Sequence, residues 1–385
     1  MADSTSTASE AGDAPVLFRE AMTVRGKRIG FAQLNAEKSL NALNLAMIRL
    51  LDAQLQRWAG DPAIVCVVLH GAGEKAFCAG GDIRGLYRSI VEHRGPPPNH
   101  DNLAFFSEEY TLDYRVHRFP KPVLVWGSGI VMGGGLGLMA GASHRVVTET
   151  SRVAMPEITI GLFPDVGGSW FLHRLPGRIG LFLALSGASI NGHDLLVAKM
   201  AEHFLRATDR EAIFAALTTL AWSGEADDDR HRLTALLDGF SAQAQAVRPA
   251  SNLHRHAATI ETLCAGDDLA AVHAAITGYA GDDIWLQKAA STLRAGSPTT
   301  AALIWALRER TRGMSLAEVF RLELVVALQC CAHPDLAEGV RALLIDKDNT
   351  PRWTPATLAE VTPQWIAEHF AAPWSDSLVS LGLDA

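Results

Sequence analysis

Between Val123 and Ser143 the chain carries no charge and seven glycines, in the order VLVWGSGIVMGGGLGLMAGAS. Such a stretch must lie either in lipid or in a protein interior. Its length and the four-residue spacing of Gly133, Gly137 and Gly141 would suit a transmembrane helix. The β-type opening VLVW and the density of glycine favour a buried strand, a glycine turn and a buried helix. The surrounding chain is 48 % apolar and 20 % charged, which excludes disordered, collagenous and coiled-coil classes. Its net charge of −8 gives no electrostatic reason to bind nucleic acid or an anionic membrane.

Strands and helices alternate through the first half. Arg28 to Leu34 reads as a strand, and Asn44 to Trp58 as a helix with Leu45, Ile48, Leu51, Leu55 and Trp58 on one face. Ile64 to Leu69 (IVCVVL) is apolar throughout, as expected of a strand covered on both sides. A helix over Ala104 to His117, strands at Val123–Trp126, Arg145–Thr148 and Arg152–Met155, and a helix over Gly177–Ser186 follow. After residue 207 strand-like runs give way to alanine-rich helices. Thr208-x-x-Glu211 and Ser315-x-x-Glu318 read as capping boxes, and Ser297-Pro298, Thr354-Pro355 and Thr362-Pro363 as helix starts. Asp227–Asp229 reads as a solvated helix start.

The 385 residues therefore divide into a disordered leader (1–14), an α/β core (15–207) and a helical region (208–385) whose apolar faces pack on that core. The leader is acidic, without signal or transit character, and points to the cytoplasm. Five cysteines without CxxC spacing fit buried thiols in a reducing compartment.

Glycines near strand ends, Gly80-Gly81 in FCAGGDI and Gly133-Gly134-Gly135, free backbone N–H groups at helix starts. Two such groups aimed at one point would form an oxyanion hole; tight turns with close packing are the alternative. Gly135 to Ala140 also matches GxGxxA, with Glu157 twenty residues past Gly137, but that acid follows a proline rather than a second strand, which argues against dinucleotide binding. Glu157 and Asp165 sit among apolar residues, prolines and glycines with no basic neighbour. A buried carboxylate there is costly unless hydrogen-bonded or working, and burial would raise its pKa toward catalytic use; the alternative is two exposed turn acids. No metal spacing and no GxSxG nucleophile motif is present.

Taken in order, LNALN (Leu40–Asn44), FCAGGDI (Phe77–Ile83), MGGG (Met132–Gly135) and MPExxIGLFPDVGGS (Met155–Ser169) resemble the crotonase superfamily of acyl-CoA enzymes. The resemblance implies an α/β spiral of ββα units with a helical C-terminal region, and an acyl-CoA groove needing no cofactor beyond the CoA of its substrate. It places oxyanion donors at Gly81 and Gly134, and substrate or CoA contacts at Ala42, Ala79, Gly80, Asp82, Ile83 and Gly133. It also implies Glu157 and Asp165 as catalytic acids. Hydratases of the superfamily usually carry a second glutamate where this chain has Gly137. That glycine, Asp165 and the tail DLAEGVR…DKD…PRW (Asp335–Trp353) resemble the 3-hydroxyisobutyryl-CoA hydrolase branch, a thioesterase step of valine catabolism. An enoyl-CoA hydratase or isomerase and a non-catalytic acyl-CoA-binding protein are the alternatives. Superfamily members usually form trimers, so the resemblance extends to a homo-oligomer.

Overall fold

The structure, a computed structural model, describes residues 14–93, 97–373 and 381–383, so nearly all of the expected leader lies outside the described residues. Among the described residues ten strands form two sheets. The larger takes β1 (Val16–Met22), β2 (Arg28–Leu34), β3 (Ile64–Gly71), β5 (Val123–Gly127), β7 (His144–Val147) and β10 (His203–Phe204), parallel except for the β1–β2 pair. The smaller takes β4 (Ala76–Cys78), β6 (Ile130–Met132), β8 (Arg152–Ala154) and β9 (Ile190–Asn191). Each of β3, β5 and β7 is followed within a few residues by a three-residue strand of the smaller sheet, which is the repeating unit of the spiral. Three-residue strands are too short to show a period, so the sequence reading passed over β4 and β6.

Strand β3 is buried along its whole length because both faces of the large sheet are covered. Val67 and Leu69 face a core shared with α1 (Leu45–Gly60), whose Met47, Ile48, Leu51, Leu55 and Trp58 are buried. Cys66 and Val68 face the other way, against Ile213, Phe214, Leu217, Leu233 and Leu237 of the helices Arg210–Thr219 and Ala226–Ala244. Period-two burial on two faces turns a continuous apolar run into a central strand.

The charge-free run becomes β5, β6 and the buried seven-residue helix α4 (Gly134–Ala140). Among the described residues no helix is long and apolar enough to cross a membrane. The glycine spacing serves close packing instead. A side chain at Gly135 would strike Cys78, one at Gly137 would meet Val166 and Asp113, and one at Gly141 would meet His117. Asp113 and His117 belong to α3 (His100–His117), and a further helix, α2 (Ile83–Glu92), precedes it.

Three local expectations are corrected. Thr208 caps no helix: the helix starts at Arg210, and the preceding Asp209 is held by Arg206 at 2.7 and 2.8 Å. Thr354-Pro355 starts no helix either: the next helical turn begins at Leu358 with Thr357 as its cap, and the Thr354 N–H donates to Asp335 Oδ1 at 2.8 Å. Asp229 is not solvated; it is buried and accepts from the N–H groups of Ser223 and Gly224. Ser297, Ser315 and Thr362 cap helices as expected. All five cysteines are buried and free.

Residues after 207 complete both cores, burying Leu303, Leu307, Phe320, Leu324 and Leu328 in one and the Arg210–Thr219 helix in the other. A chain ending at residue 207 would expose Phe31, Val68 and Trp126, each side chain worth about 1.5–3 kcal/mol of burial. Such a truncation is expected to be insoluble, or soluble with little activity; a soluble fragment with the full-length thermal midpoint would contradict this.

Candidate active site

In the smaller sheet β4, β6 and β8 lie side by side and parallel, with Cys78 paired to Val131 and Met132 to Ala154. Their C-terminal ends therefore emerge at one level. From them run Ala79-Gly80-Gly81, Gly133-Gly134 and Met155-Pro156-Glu157, three segments far apart in the chain but adjacent in space. Ala79, Gly80, Gly81, Ile83, Gly133, Gly134, Glu157 and Asp165 all line one cavity of about 240 Å³. Ala42 and Asp82 stand outside its wall. Asp82 is the N-cap of α2, accepting from the Gly85 N–H at 3.0 Å, and Ala42 precedes Leu43, which bridges to Gly81.

Leu43 N–H takes the carbonyl of Gly80, and the Asp82 N–H takes that of Leu43, so the N–H between them, on Gly81, is left over. Gly134 is the first residue of α4, where an N–H has no intrahelical acceptor. Among the described residues neither N–H finds an acceptor. The two glycines are in close contact: a Cβ built on Gly134 would lie 3.6 Å from the Gly81 nitrogen. Gly133 turns the chain at φ +47°, and a Cβ there would lie 3.2 Å from Glu157 Oε1. Two unpaired donors and a carboxylate thus share one small space, the arrangement an oxyanion hole with an adjacent reacting group requires.

The electrostatics are unusual because, among the described residues, no Lys or Arg lines the cavity. Glu157 is buried and its Oε2 has no hydrogen-bond partner. Burial, and then the nearby Asp165 carboxylate, push its pKa well above the ordinary glutamate range. Asp165 is also buried; burial raises it to about 6, opposed by a 2.8 Å hydrogen bond from the Tyr110 hydroxyl. The loop that presents it is held from the C-terminal part. Glu323, on the helix Leu316–Ala332, accepts the N–H groups of Gly167 and Ser169 at 2.7 and 2.8 Å, and burial raises its own pKa to about 8.

Helix α3 supplies what the sequence reading missed. Glu109 lines the cavity, its Oε1 unpartnered, and burial followed by Asp165 raises its pKa strongly. A Cβ on Gly134 would fall on that oxygen, and one on Gly81 would lie 3.8 Å from it. Asp113, one turn on, is fully buried with both carboxylate oxygens unpartnered. Its Oδ2 and Val166 fill the space beside Gly137, so the position at which hydratase relatives of the resemblance carry glutamate has no room for any side chain. The signal was present: Phe105, Glu109, Asp113 and Val116 recur at three- and four-residue steps, which sets two acids on an apolar helix face. The far wall is Leu343 and Leu344, on a short turn (Arg341–Ile345) braced by Arg341 contacts to Glu338, Asp346 and Asp348. Among the described residues no group of three or more His, Cys, Asp or Glu side chains is placed to hold a metal ion.

The enoyl-CoA hydratase/isomerase family model matches residues 29–370, and the chain belongs to this family. Within it, the chain is similar to the mitochondrial 3-hydroxyisobutyryl-CoA hydrolase of Danio rerio, 39 % identical over 348 residues, covering 90 % of this chain and 87 % of that one. Among solved structures it is similar to a carnitinyl-CoA dehydratase from Mycobacterium thermoresistibile (TM-score 0.81, 32 % identity, 95 % of this chain and 99 % of that one). An enoyl-CoA hydratase from Rhodobacter sphaeroides matches with a TM-score of 0.78 and 35 % identity, over 93 % of this chain and 97 % of that one.

The contact between Gly134 and Glu109 can be tested by stability alone. Gly134→Ala is expected to cost about 1–3 kcal/mol, as overpacking does. Glu109→Ala removes the colliding oxygen, so the double variant should recover most of that loss in denaturant unfolding. Strict additivity of the two single effects would contradict the geometry.

Proposed function

We propose that this chain hydrolyses the thioester of a short 3-hydroxyacyl-CoA, 3-hydroxyisobutyryl-CoA foremost, to the hydroxy acid and free CoA, as a step of valine breakdown. The observation that carries the reading is the 39 % identity to a hydrolase of that substrate over nine-tenths of the chain. The cavity supports it. The Gly81 and Gly134 N–H groups would polarise the thioester carbonyl and receive the negative charge of the tetrahedral intermediate. Glu157 would supply the attack. As a nucleophile its carboxylate adds to the carbonyl carbon and the C–S bond breaks, leaving a mixed anhydride that water then splits; as a base it takes a proton from the attacking water. A single turnover in ¹⁸O-water separates these routes, since only the first can leave label in Glu157.

Asp165 would bind the substrate hydroxyl or orient Glu157, and Glu109 joins them as a third acid at the carbonyl. Ala79, Gly80, Ile83 and Gly133 would contact the acyl-CoA in the cavity, with Ala42 and Asp82 toward the CoA side. The small cavity, lined also by Leu343 and Leu344, suits a short acyl group. The reading requires no cofactor, and the family resemblance supports a homo-oligomer, which sedimentation would test. It places the reaction in the cytoplasm; buried free thiols support a reducing compartment, the Danio rerio relative is named mitochondrial, and cell fractionation distinguishes the two.

The second reading is hydration of a short enoyl-CoA, favoured by the two solved structures named dehydratase and hydratase. Thiol release and loss of enoyl absorbance, followed in parallel on a panel of acyl-CoAs, decide between them.

Glu157→Gln is expected to keep the fold and CoA binding while slowing thioester hydrolysis by roughly 100-fold or more; near-wild-type turnover would remove Glu157 from the chemistry. The attacking form is the carboxylate, so kcat/KM should rise with pH through an apparent pKa above the ordinary glutamate range. Asp165→Asn deletes the neighbouring negative charge that helps raise Glu157, and should move that limb to lower pH as well as slow turnover. An unmoved limb would mean that another group sets it. A greater loss on 3-hydroxyacyl than on plain acyl substrates would assign Asp165 to the hydroxyl.

A further inference from the structure

The loop that carries Asp165 has a second face. Phe163, Pro164, Gly168 and Ser169 line an apolar cleft there with Leu172 and Leu181. Adjoining this cleft, and sharing Leu172, His173, Gly180, Leu181 and Arg308 with it, is a cavity of about 210 Å³ walled also by Gly177, Arg178 and Arg312. None of these residues except the loop itself belongs to the region of the candidate active site.

Positive charge is left over at this cavity. Arg308 and Arg312 share a single carboxylate oxygen, Glu309 Oε1, at 3.7 and 3.1 Å. The other nearby acid, Glu261, is engaged with the backbone N–H of Arg178 at 2.7 Å. Among the described residues no carboxylate pairs with the Arg178 guanidinium. The three arginines are within electrostatic reach of one another: burial lowers the pKa of Arg308, Glu309 opposes this, and Arg178 and Arg312 lower it again. The helix Ile179–Ser186 starts in the same wall, with Arg178 at its N-cap and Gly180 in the lining, so its positive end adds to the guanidinium charge.

We propose that this cavity is a binding site for a phosphate-bearing anion, held by Arg178, Arg308 and Arg312 beside the apolar cleft behind the Asp165 loop. Guanidinium groups approaching from two elements offer more donors than one carboxylate can accept, whereas a tetrahedral phosphoryl group accepts from several directions and carries nearly two charges. The volume is that of about seven waters, enough for a phosphate or diphosphate group. The phosphate could be that of a free metabolite or the phosphate end of the CoA substrate. The site does not depend on the thioesterase reading.

Isothermal titration of the full chain with inorganic pyrophosphate, in low-salt chloride buffer, tests this. Saturable binding is expected in the wild type, and binding at least about 10-fold weaker in Arg178→Gln/Arg312→Gln. Arg178→Lys/Arg312→Lys should retain most of it. Arg312→Gln alone, at a side chain 64 % exposed, should weaken binding without disturbing the fold, which covers misfolding of the double variant. A repeat with saturating CoA names the source: displacement means the substrate's own phosphates occupy the cavity, and undiminished binding means a separate phosphate compound. Absence of saturable binding in the wild type, or equal affinity in the glutamine variants, would overturn the proposal.

Discussion

Parallel pairing of three very short strands, Ala76–Cys78, Ile130–Met132 and Arg152–Ala154, is the constraint on which the candidate site depends. Each follows a strand of the large sheet, so each turn of the spiral delivers its next segment to the same edge of the small sheet. The segments delivered are Gly80-Gly81, Gly133-Gly134 and Glu157. Backbone N–H groups at such ends have no ladder partner and no helical acceptor, and they cannot rotate away as side chains can. The site's donors are therefore as rigid as the sheet that presents them.

Around these donors the chain buries Glu109, Asp113, Glu157, Asp165 and Glu323, and among the described residues no Lys or Arg lines the cavity. An ionised carboxyl in such a place is disfavoured, so burial and mutual repulsion push these pKa values above the ordinary carboxylate range. Glu323 is relieved by two backbone N–H groups, and Asp165 by the Tyr110 hydroxyl. Glu109 Oε1 and Glu157 Oε2 have no partner; the first lies against Gly81 and Gly134, and the other oxygen of Glu157 lies against Gly133. Unsatisfied acids at the point where a carbonyl oxygen would be held are a cost to folding that chemistry can use.

The C-terminal half acts on this site through backbone contacts. Gly161 meets the Asp335 backbone and Gly339 meets Ile160, with no space for a side chain at either glycine, while the Ser297 N–H bonds to the carbonyl of Ile158 at 3.0 Å. The turn that holds Glu157 is thereby clamped between the small sheet and the tail. Leu343 and Leu344, also from the tail, line the cavity. The helices Arg210–Thr219 and Ala226–Ala244, by contrast, cover the outer face of the large sheet and contribute no residue to the cavity lining.

Long periodic elements were legible in the sequence: the strand Arg28–Leu34, the helix capped by Asn44, and the doubly covered strand from Ile64 all carry their burial pattern in residue order. So were the glycine clusters and the acids Glu157 and Asp165, because small residues and unpaired charges in apolar surroundings stand out locally. Tertiary structure alone decided the rest. Glu109 and Asp113 look like ordinary charges on an amphipathic helix until α3 turns that face inward. Asp82 stands in a glycine motif, and only the structure shows its carboxylate capping a helix. Gly137 reads as a missing glutamate, yet what excludes a side chain there is Val166, from a loop some thirty residues later, and Asp113, from a helix some twenty-five earlier. Residue order records what a segment prefers for itself; which groups are desolvated together depends on segments that meet only when the spiral closes.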